Sequence, residues 1–315
     1  MKNLMFLTIL LTTSVLTNAQ DKTIQKNFAN IKTIQLSTSS GNITITKSTG
    51  SGVSVTLKHS YDDDEFTPVI EERNGTLIMK EDFSQGSQSG SSSWELGVPD
   101  NTSLNLNTGS GNIIVEGINT NIKSNLGSGD VELKSVKGDL NFNTGSGNID
   151  LTNAEGDLSF NTGSGNIRAT GGTGKYSFNA GSGDITIQKL AGAFAVNTGS
   201  GDVVAKDLTL QAAGRFNTGS GDAEVNLTAN LEHDISINSG SGDATLAFNG
   251  TPIQGEVIMT ANERNGNIVA PFKFDKEEVI RDNGSSPRMR KTGKIGNKDI
   301  TIKIGTGSGT AKITK

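Results

Sequence analysis

The sequence has no cysteine, only five prolines and two histidines, and 5% aromatic residues. Without cysteine there is no disulfide framework, no thiol chemistry and no thiol for lipidation. His59 and His233 lie far apart in the chain with no repeated partner, so neither reads as a catalytic base or metal ligand. The G-x-x-x-x-G-K-[ST] phosphate loop is missing. The many Gly-Ser-Gly units are not nucleophile elbows, because glycine directly flanks the serine. Lysines and arginines are scattered and the formal net charge is −5, so no basic stripe points to nucleic acid. No apolar run approaches the roughly 18 residues of a membrane span. The helical spacing of apolar residues, three and four apart, is also missing.

Glycine is abundant, at 40 residues, and it is periodic. From 104 onward every ninth position is apolar or aromatic, as in Leu104, Ile113, Ile122, Val131, Leu140 and Ile149. Two residues further on, Leu106, Val115, Leu133, Phe142 and Leu151 repeat the pattern, with Ser124 the one exception up to 205. A spacing of two places both side chains on one face of a strand. Gly111, Gly129, Gly138, Gly147, Gly156 and Gly165 precede these pairs at the same period, and a corner requiring positive φ accounts for them. Alternate corners differ: Thr144-Gly145-Ser146-Gly147-Asn148 is tight, whereas Asn153-Ala154-Glu155-Gly156-Asp157 is looser. The full unit is therefore eighteen residues with two strands and two turns, the mark of a stacked repeat. The expected fold is all-β: a flattened parallel β-solenoid with two main faces. A β-sandwich has strands at similar spacing but gives no reason for identical corners.

Residues 1–19 read as a signal peptide, with Lys2, the apolar stretch Met5 to Leu16, and small residues before a cleavage point at Gln20. Residues 20–99 are expected to form irregular strands and a cap, with a mobile loop over 84–93. Residues 100–250 are expected to form the regular solenoid, and 251–315 irregular coils and a second cap. Val53, Val55 and Leu57 continue the triplets one residue out of step. Trp94, Leu96 and Val98, ending at Pro99, read as an edge strand. After 205 the corners lag, which places extra residues near Gln211-Ala212 and Ala229-Asn230.

The run Trp94-Glu95-Leu96-Gly97-Val98-Pro99 is followed by Leu104-Asn105-Leu106-Asn107-Thr108-Gly109-Ser110-Gly111-Asn112-Ile113. It resembles the family of exported bacterial proteins known as putative adhesins, and is similar to the head domains of putative autotransporter-like adhesins. The resemblance covers roughly residues 30–315 and is densest from 94 to 248. It implies a β-solenoid exported by bacteria and supplies no catalytic residues.

Three features carry candidate chemistry. Asn112, Asp130, Asn148, Asn166, Asp184, Asp202, Asp222 and Asp243 follow the tight corners. They are expected to cap N–H groups of their own corner; calcium between coils is the alternative, although the spacing departs from the G-G-x-G-x-D motif. Asn107, Asn125, Asn143, Asn161, Asn179, Asn197, Asn217 and Asn238 form a second column, expected to be an amide ladder. Outward residues define two faces. One reads Asn105, Lys123, Asn141, Ser159, Ser177, Ala195, and the other Ile114, Glu132, Asp150, Arg168, Thr186, Val204. The first could lie against a glycan or a surface protein, the partners considered. An ice-binding array would need outward threonines in more than single file. No catalytic, cofactor-binding or metal site is assigned, and Asp150 with Arg168 reads as a cross-coil charge pair rather than part of a lyase site. A noncatalytic interaction protein is the expectation, with a glycan-active enzyme or a calcium-stabilised roll as alternatives.

Overall fold

The computed structural model describes residues 22–84, 89–281 and 286–315. The segment read as a signal, 1–19, lies outside them, as do 85–88 within the expected loop 84–93. The described residues form strands and turns without a helix. The first strands are β1 (Lys22–Phe28), β2 (Thr33–Thr38), β3 (Asn42–Lys47), β4 (Val53–His59), β5 (Phe66–Arg73), β6 (Thr76–Phe83) and β7 (Ser92–Val98). The regular array follows: β8 (Ser103–Thr108), β9 (Ile113–Glu116), β10 (Ile122–Leu126), β11 (Val131–Lys134), β12 (Leu140–Thr144), β13 (Ile149–Thr152), β14 (Gly156–Thr162), β15 (Ile167–Ala180), β16 (Ile185–Thr198), β17 (Val203–Thr218), β18 (Ala223–Leu227), β19 (Ile235–Ser239) and β20 (Ala244–Ala247). The last group is β21 (Gly255–Asn262), β22 (Asn267–Val269), β23 (Lys276–Ile280), β24 (Arg288–Ile295), β25 (Thr301–Thr306) and β26 (Thr310–Thr314).

The fold is a β-solenoid. On one face, face A, β8, β10, β12, β14 and the second halves of β15 and β16 stack in parallel, each eighteen residues from the last. On the opposite face B, β9, β11, β13 and the first halves of β15, β16 and β17 do the same. Strands β15 to β17 are long because pairing resumes within the looser corner, so each runs from face B to face A as one strand with short breaks in register. The extra residues after 205 fall where the sequence placed them: Gly192 pairs with Leu210, but Phe194 pairs with Gly214.

Inward side chains stack in files. Leu104, Ile122, Leu140, Leu158, Tyr176 and Phe194 occupy one register position in successive coils and are all buried. Phe142, Phe160 and Phe178 follow in the next file, with ring centroids 5.7 and 5.5 Å apart. Tyr176 stacks on Phe194 at 5.2 Å. Such aromatic pairs each add about 0.5–1.5 kcal/mol beyond area burial. This is how a chain with few aromatics obtains a continuous core: it gathers many of them into two adjacent files, in contact at Tyr176–Phe178 and Phe194–Phe216. The Tyr176 hydroxyl is buried without a partner, and burial pushes its pKa up.

Tight corners are held from within. Leu126 and Ala180 take the opening position in two coils. Where a threonine opens the corner it is buried, and in most coils of the array its hydroxyl accepts from the N–H of the second glycine of its own corner, as Thr162 does from Gly165 at 3.0 Å. The same hydroxyl donates to the glycine carbonyl of the preceding coil, as Thr162 does to Gly147 at 2.9 Å. The corner threonines thus point inward, which removes the ice-binding reading. Glycine's role in these corners also differs from the expectation. Gly147 does not have positive φ. A Cβ there would overlap the carbonyl of Gly129 directly beneath it, so glycine is required by backbone-to-backbone approach between coils. Positive φ belongs instead to the looser corners, at Gly138 (136°) and Gly156 (126°).

Both ends depart from chain order. Strands β2 and β3 pair with β8 and β9, so Ile34 lies against Leu104 and Ile43 against Ile113. The coil of β6 and β7 stacks on their other side, although it comes later in sequence. At the far end, β25 and β26 sit between β19/β20 and β21/β22, so the last strands of the chain form a penultimate coil. Val53, Val55 and Leu57 do not continue the parallel triplets: β4 runs antiparallel between β7 and β1. Trp94 is not on an edge either, since β7 is paired on both sides and Trp94 is fully buried. The edges proper carry charge and proline. β1 has Lys22 and Lys26, β5 has Pro68, Glu71 and Glu72, and β23 has Lys276, Glu277 and Glu278. Such residues discourage pairing with another chain.

Candidate binding face

Face A presents two outward rows. The first runs Gln35, Asn105, Lys123, Asn141, Ser159, Ser177, Ala195, Arg215, Ser236, Lys303, each directly paired with the next. The eighteen-residue period identifies this row from Asn105 to Ala195; Arg215 and Lys303 fall outside that period and join through the inserted residues. The second row is the asparagine column. It is the expected amide ladder: Asn125 Nδ2 donates to Asn107 Oδ1 at 3.2 Å, Asn143 to Asn125 at 3.1 Å, Asn161 to Asn143 at 2.8 Å, and so on to Asn238, which donates to Asn217 at 2.9 Å. An amide has one donor end and one acceptor end, so a column of them is self-complementary only in register. This fixes each coil against slippage.

Beside the first row, on its looser-corner side, stand Asn121, Asp139, Asp157, Lys175 and Ala193. Between these side chains and the first row lies an open groove. One part, about 560 Å³, is lined by Asn105, Lys123, Asn141, Asp139 and Ser159 among others. A second, about 550 Å³, continues past Asp157 and Ser159 to Lys175, Ser177, Ala195 and Arg215. Asp157 and Ser159 line both, so the groove follows the stacking axis across several coils. Asp157 is tied to Lys175 of the next coil at 2.9 Å.

Face B is different. Its row Ile114, Glu132, Asp150, Arg168, Thr186, Val204 carries both signs of charge and one exposed isoleucine. Asp150 and Arg168 are neighbours across coils, 3.8 Å apart. Burial raises the pKa of Asp150, with Arg168 opposing and the Asp130 and Glu132 carboxylates reinforcing the rise.

The Asn/Asp column at the tight corners does not cap its own coil. Each side chain reaches to the next one: Asn112 Oδ1 accepts from Asp130 N–H at 2.9 Å, Asn166 from Asp184 at 2.8 Å, and Asp222 from Asp243 at 2.7 Å. The physics expected of the column holds, but the bond joins coils. One oxygen of each of these side chains is therefore committed to a backbone N–H. Among the described residues no group of three or more His, Cys, Asp or Glu is arranged to hold a metal ion. His59 is buried against Phe66, with ring centroids 4.6 Å apart, and His233 lies half-buried in the connection between β18 and β19.

Set beside known proteins, residues 31–251 match the family profile Toastrack DUF4097. No curated protein matches the sequence. Similar solved structures include a "putative lipid binding protein" from Parabacteroides distasonis ATCC 8503, 14% identical, with a TM-score of 0.40 over 95% of this chain and 98% of that chain. Another is a "putative adhesin" from Parabacteroides merdae ATCC 43184, 13% identical, TM-score 0.36, covering 95% and 98% respectively. A third is a "putative cell adhesion protein" from Clostridium sporogenes ATCC 15579, 13% identical, TM-score 0.26, covering 94% and 99%. At these values the likenesses carry no argument about what the chain binds.

Proposed function

The chain belongs to the Toastrack DUF4097 family, and from that premise we propose that it is a noncatalytic, exported interaction protein of the bacterial cell envelope or surface, engaging its partner through face A. The observation that carries this reading is the groove that runs along the stacking axis beside the first outward row. A solenoid offers the same spacing coil after coil, so an extended partner meets many weak, equivalent contacts whose effects accumulate. The asparagine ladder and the buried threonines hold that face rigid, which lowers the ordering cost of binding. Asp157 beside the groove is held by Lys175, and no histidine lines either part. No helix among the described residues is long and apolar enough to cross a membrane.

Two experiments test the proposal. Mass spectrometry of the protein recovered from an expressing bacterium should find an N-terminus at Gln20 in an extracytoplasmic fraction. Glycan arrays and cell-adhesion assays should show binding that is lost in Ser177→Trp, on face A, and kept in Thr186→Trp, on face B. Silence across both assays with an intact circular dichroism spectrum would sink the interaction reading.

A further inference from the structure

Charge is distributed unevenly between the two faces. The protein has 33 acidic and 28 basic residues, yet neither outward row of face A, from Gln35 to Lys303 or along the asparagines, contains a carboxylate. The corresponding row of face B contains Glu132, Asp150 and Glu224. Face A does carry cations. Among the described residues, Lys123, Arg215 and Lys303 form no ion pair; Lys206 and Lys312 on face B are likewise unpaired, but the outward row of face B sets Glu132, Asp150 and Glu224 among its cations, and Arg168 there pairs with Asp150. Two adjacent outward rows that hold three unpaired cations and no carboxylate, with Asp139 and Asp157 kept to the looser-corner edge of the face, present a local positive potential to an anionic ligand.

The second row supplies hydrogen bonds to match. Each amide nitrogen has two hydrogens, and the ladder consumes one. In Asn125, Asn161, Asn179, Asn197 and Asn217 the other hydrogen has no partner within the protein. The result is a line of N–H donors at the strand spacing of about 4.8 Å. Lys123 and Arg215 bracket a flat, uncharged tract of Asn141, Ser159, Ser177 and Ala195 and stand about 24 Å apart at that spacing. Cations this sparse do not match a nucleic-acid strand, which presents a phosphate every ~3.4 Å. Neither outward row carries an aromatic ring on which bases could stack.

We propose that face A binds a linear, carboxylate-bearing polysaccharide laid along the stacking axis. Its carboxylates are held by Lys123, Arg215 and Lys303, and its hydroxyl and carboxylate oxygens are met by the asparagine row. This rests on the reading of face A as the docking face and adds the class of ligand. Asp139 and Asp157 flank the groove on its looser-corner side. They disfavour charge there and confine the polymer's carboxylates to the side of the unpaired cations.

The test uses the full chain after export, with polygalacturonate, alginate and hyaluronate as probes, in calorimetry or affinity electrophoresis. Fully methyl-esterified polygalacturonate is the neutral counterpart of the first, and poly(dT) is the nucleic-acid control. At least one carboxylated polymer should bind, and its neutral counterpart should bind at least about tenfold more weakly, as loss of charge-assisted hydrogen bonds predicts. The double variant Lys123→Gln, Arg215→Gln should lose about tenfold with an unchanged melting temperature. Lys206→Gln, on face B, should bind like the parent protein. Equal binding of esterified and free polymer, preference for poly(dT), or an unaffected double variant would each overturn the proposal. If neutral glycans or cells bind through Ser177 while no carboxylated polymer does, the acidic-ligand proposal fails and the docking face stands. If nothing binds at all, both fail.

Discussion

Asp202 Oδ1 accepts the backbone N–H of Asp222 at 2.8 Å, and the two carboxylates are consecutive members of one column. The bond is favourable, while the like charges one strand spacing apart repel. Asparagine makes the same bond without the charge, as Asn112 and Asn148 show. Asp202→Asn should therefore hold or raise the melting temperature, most clearly at low salt where screening is weakest. Asp202→Ala should lower stability by about 0.5–2 kcal/mol, the usual cost of deleting a side-chain cap. Parallel thermal melts of the two variants at low and high salt decide the matter. A stabilised alanine variant would show that the oxygen is not needed.

Glycine at the tight corner is required by the coil beneath it. Gly147→Val should abolish cooperative folding or cost about 3 kcal/mol or more, since the added side chain must displace the Gly129 backbone. Ser146 is exposed at the tip of the same corner, and Ser146→Val should change stability by less than about 0.5 kcal/mol. Urea melts comparing the two report directly on close approach. Equal effects would mean that the corner itself, rather than its stacking, is what valine disrupts.

Ser124 occupies the file of Leu106 and Phe142, is buried, and has a hydroxyl with no partner. It is the one polar residue the sequence pattern marked as out of place between 104 and 205. Replacing it by valine removes an unsatisfied polar group and adds apolar contact, so Ser124→Val should stabilise by about 1 kcal/mol. The opposite change one coil on, Phe142→Asp, buries an unpaired charge and should cost more than about 4 kcal/mol. Chemical denaturation measures both. A destabilised valine variant would indicate that the file has no room there.

Ser124 shows what made the middle of the fold legible. Inward and outward positions alternate with period two, and eighteen residues return the chain to the same point, so burial could be read directly from position. The ends were not legible for a physical reason. Ile34 with Leu36, Leu77 with Met79, and Leu104 with Leu106 are equivalent inward pairs. Nothing in their spacing says that the first belongs between the other two. The target of the corner asparagines was hidden likewise, since an own-corner and a next-coil N–H make the same demand on the side chain. On the candidate face, Arg215 escaped notice because two inserted residues shift its register.

The N-terminal end shows what a solenoid must do when the coils stop. Along the array the N–H of the first residue after the corner threonine donates to the coil beneath, as Gly127 does to the Thr108 carbonyl at 3.1 Å, and Ser39 holds that position after Thr38. Ser39 sits in the β2–β3 corner, and its neighbouring coil has no such corner to offer. The carboxylate of Glu81, on β6, takes its place: Oε2 accepts from Ser39 N–H at 2.8 Å. Oε1 accepts from the Trp94 indole at 3.0 Å and from the Ser92 hydroxyl. One side chain thus satisfies three donors, of which the Trp94 indole and the Ser92 hydroxyl belong to buried residues and would each cost about 1–3 kcal/mol if left unpaired. Glu81→Ala should lower stability by about 2–4 kcal/mol and shift the fluorescence of Trp94, the only tryptophan. Glu81→Gln keeps one acceptor oxygen and should recover part of the loss. If the alanine variant melts like the parent with an unchanged Trp94 spectrum, Glu81 does not close the end of the stack.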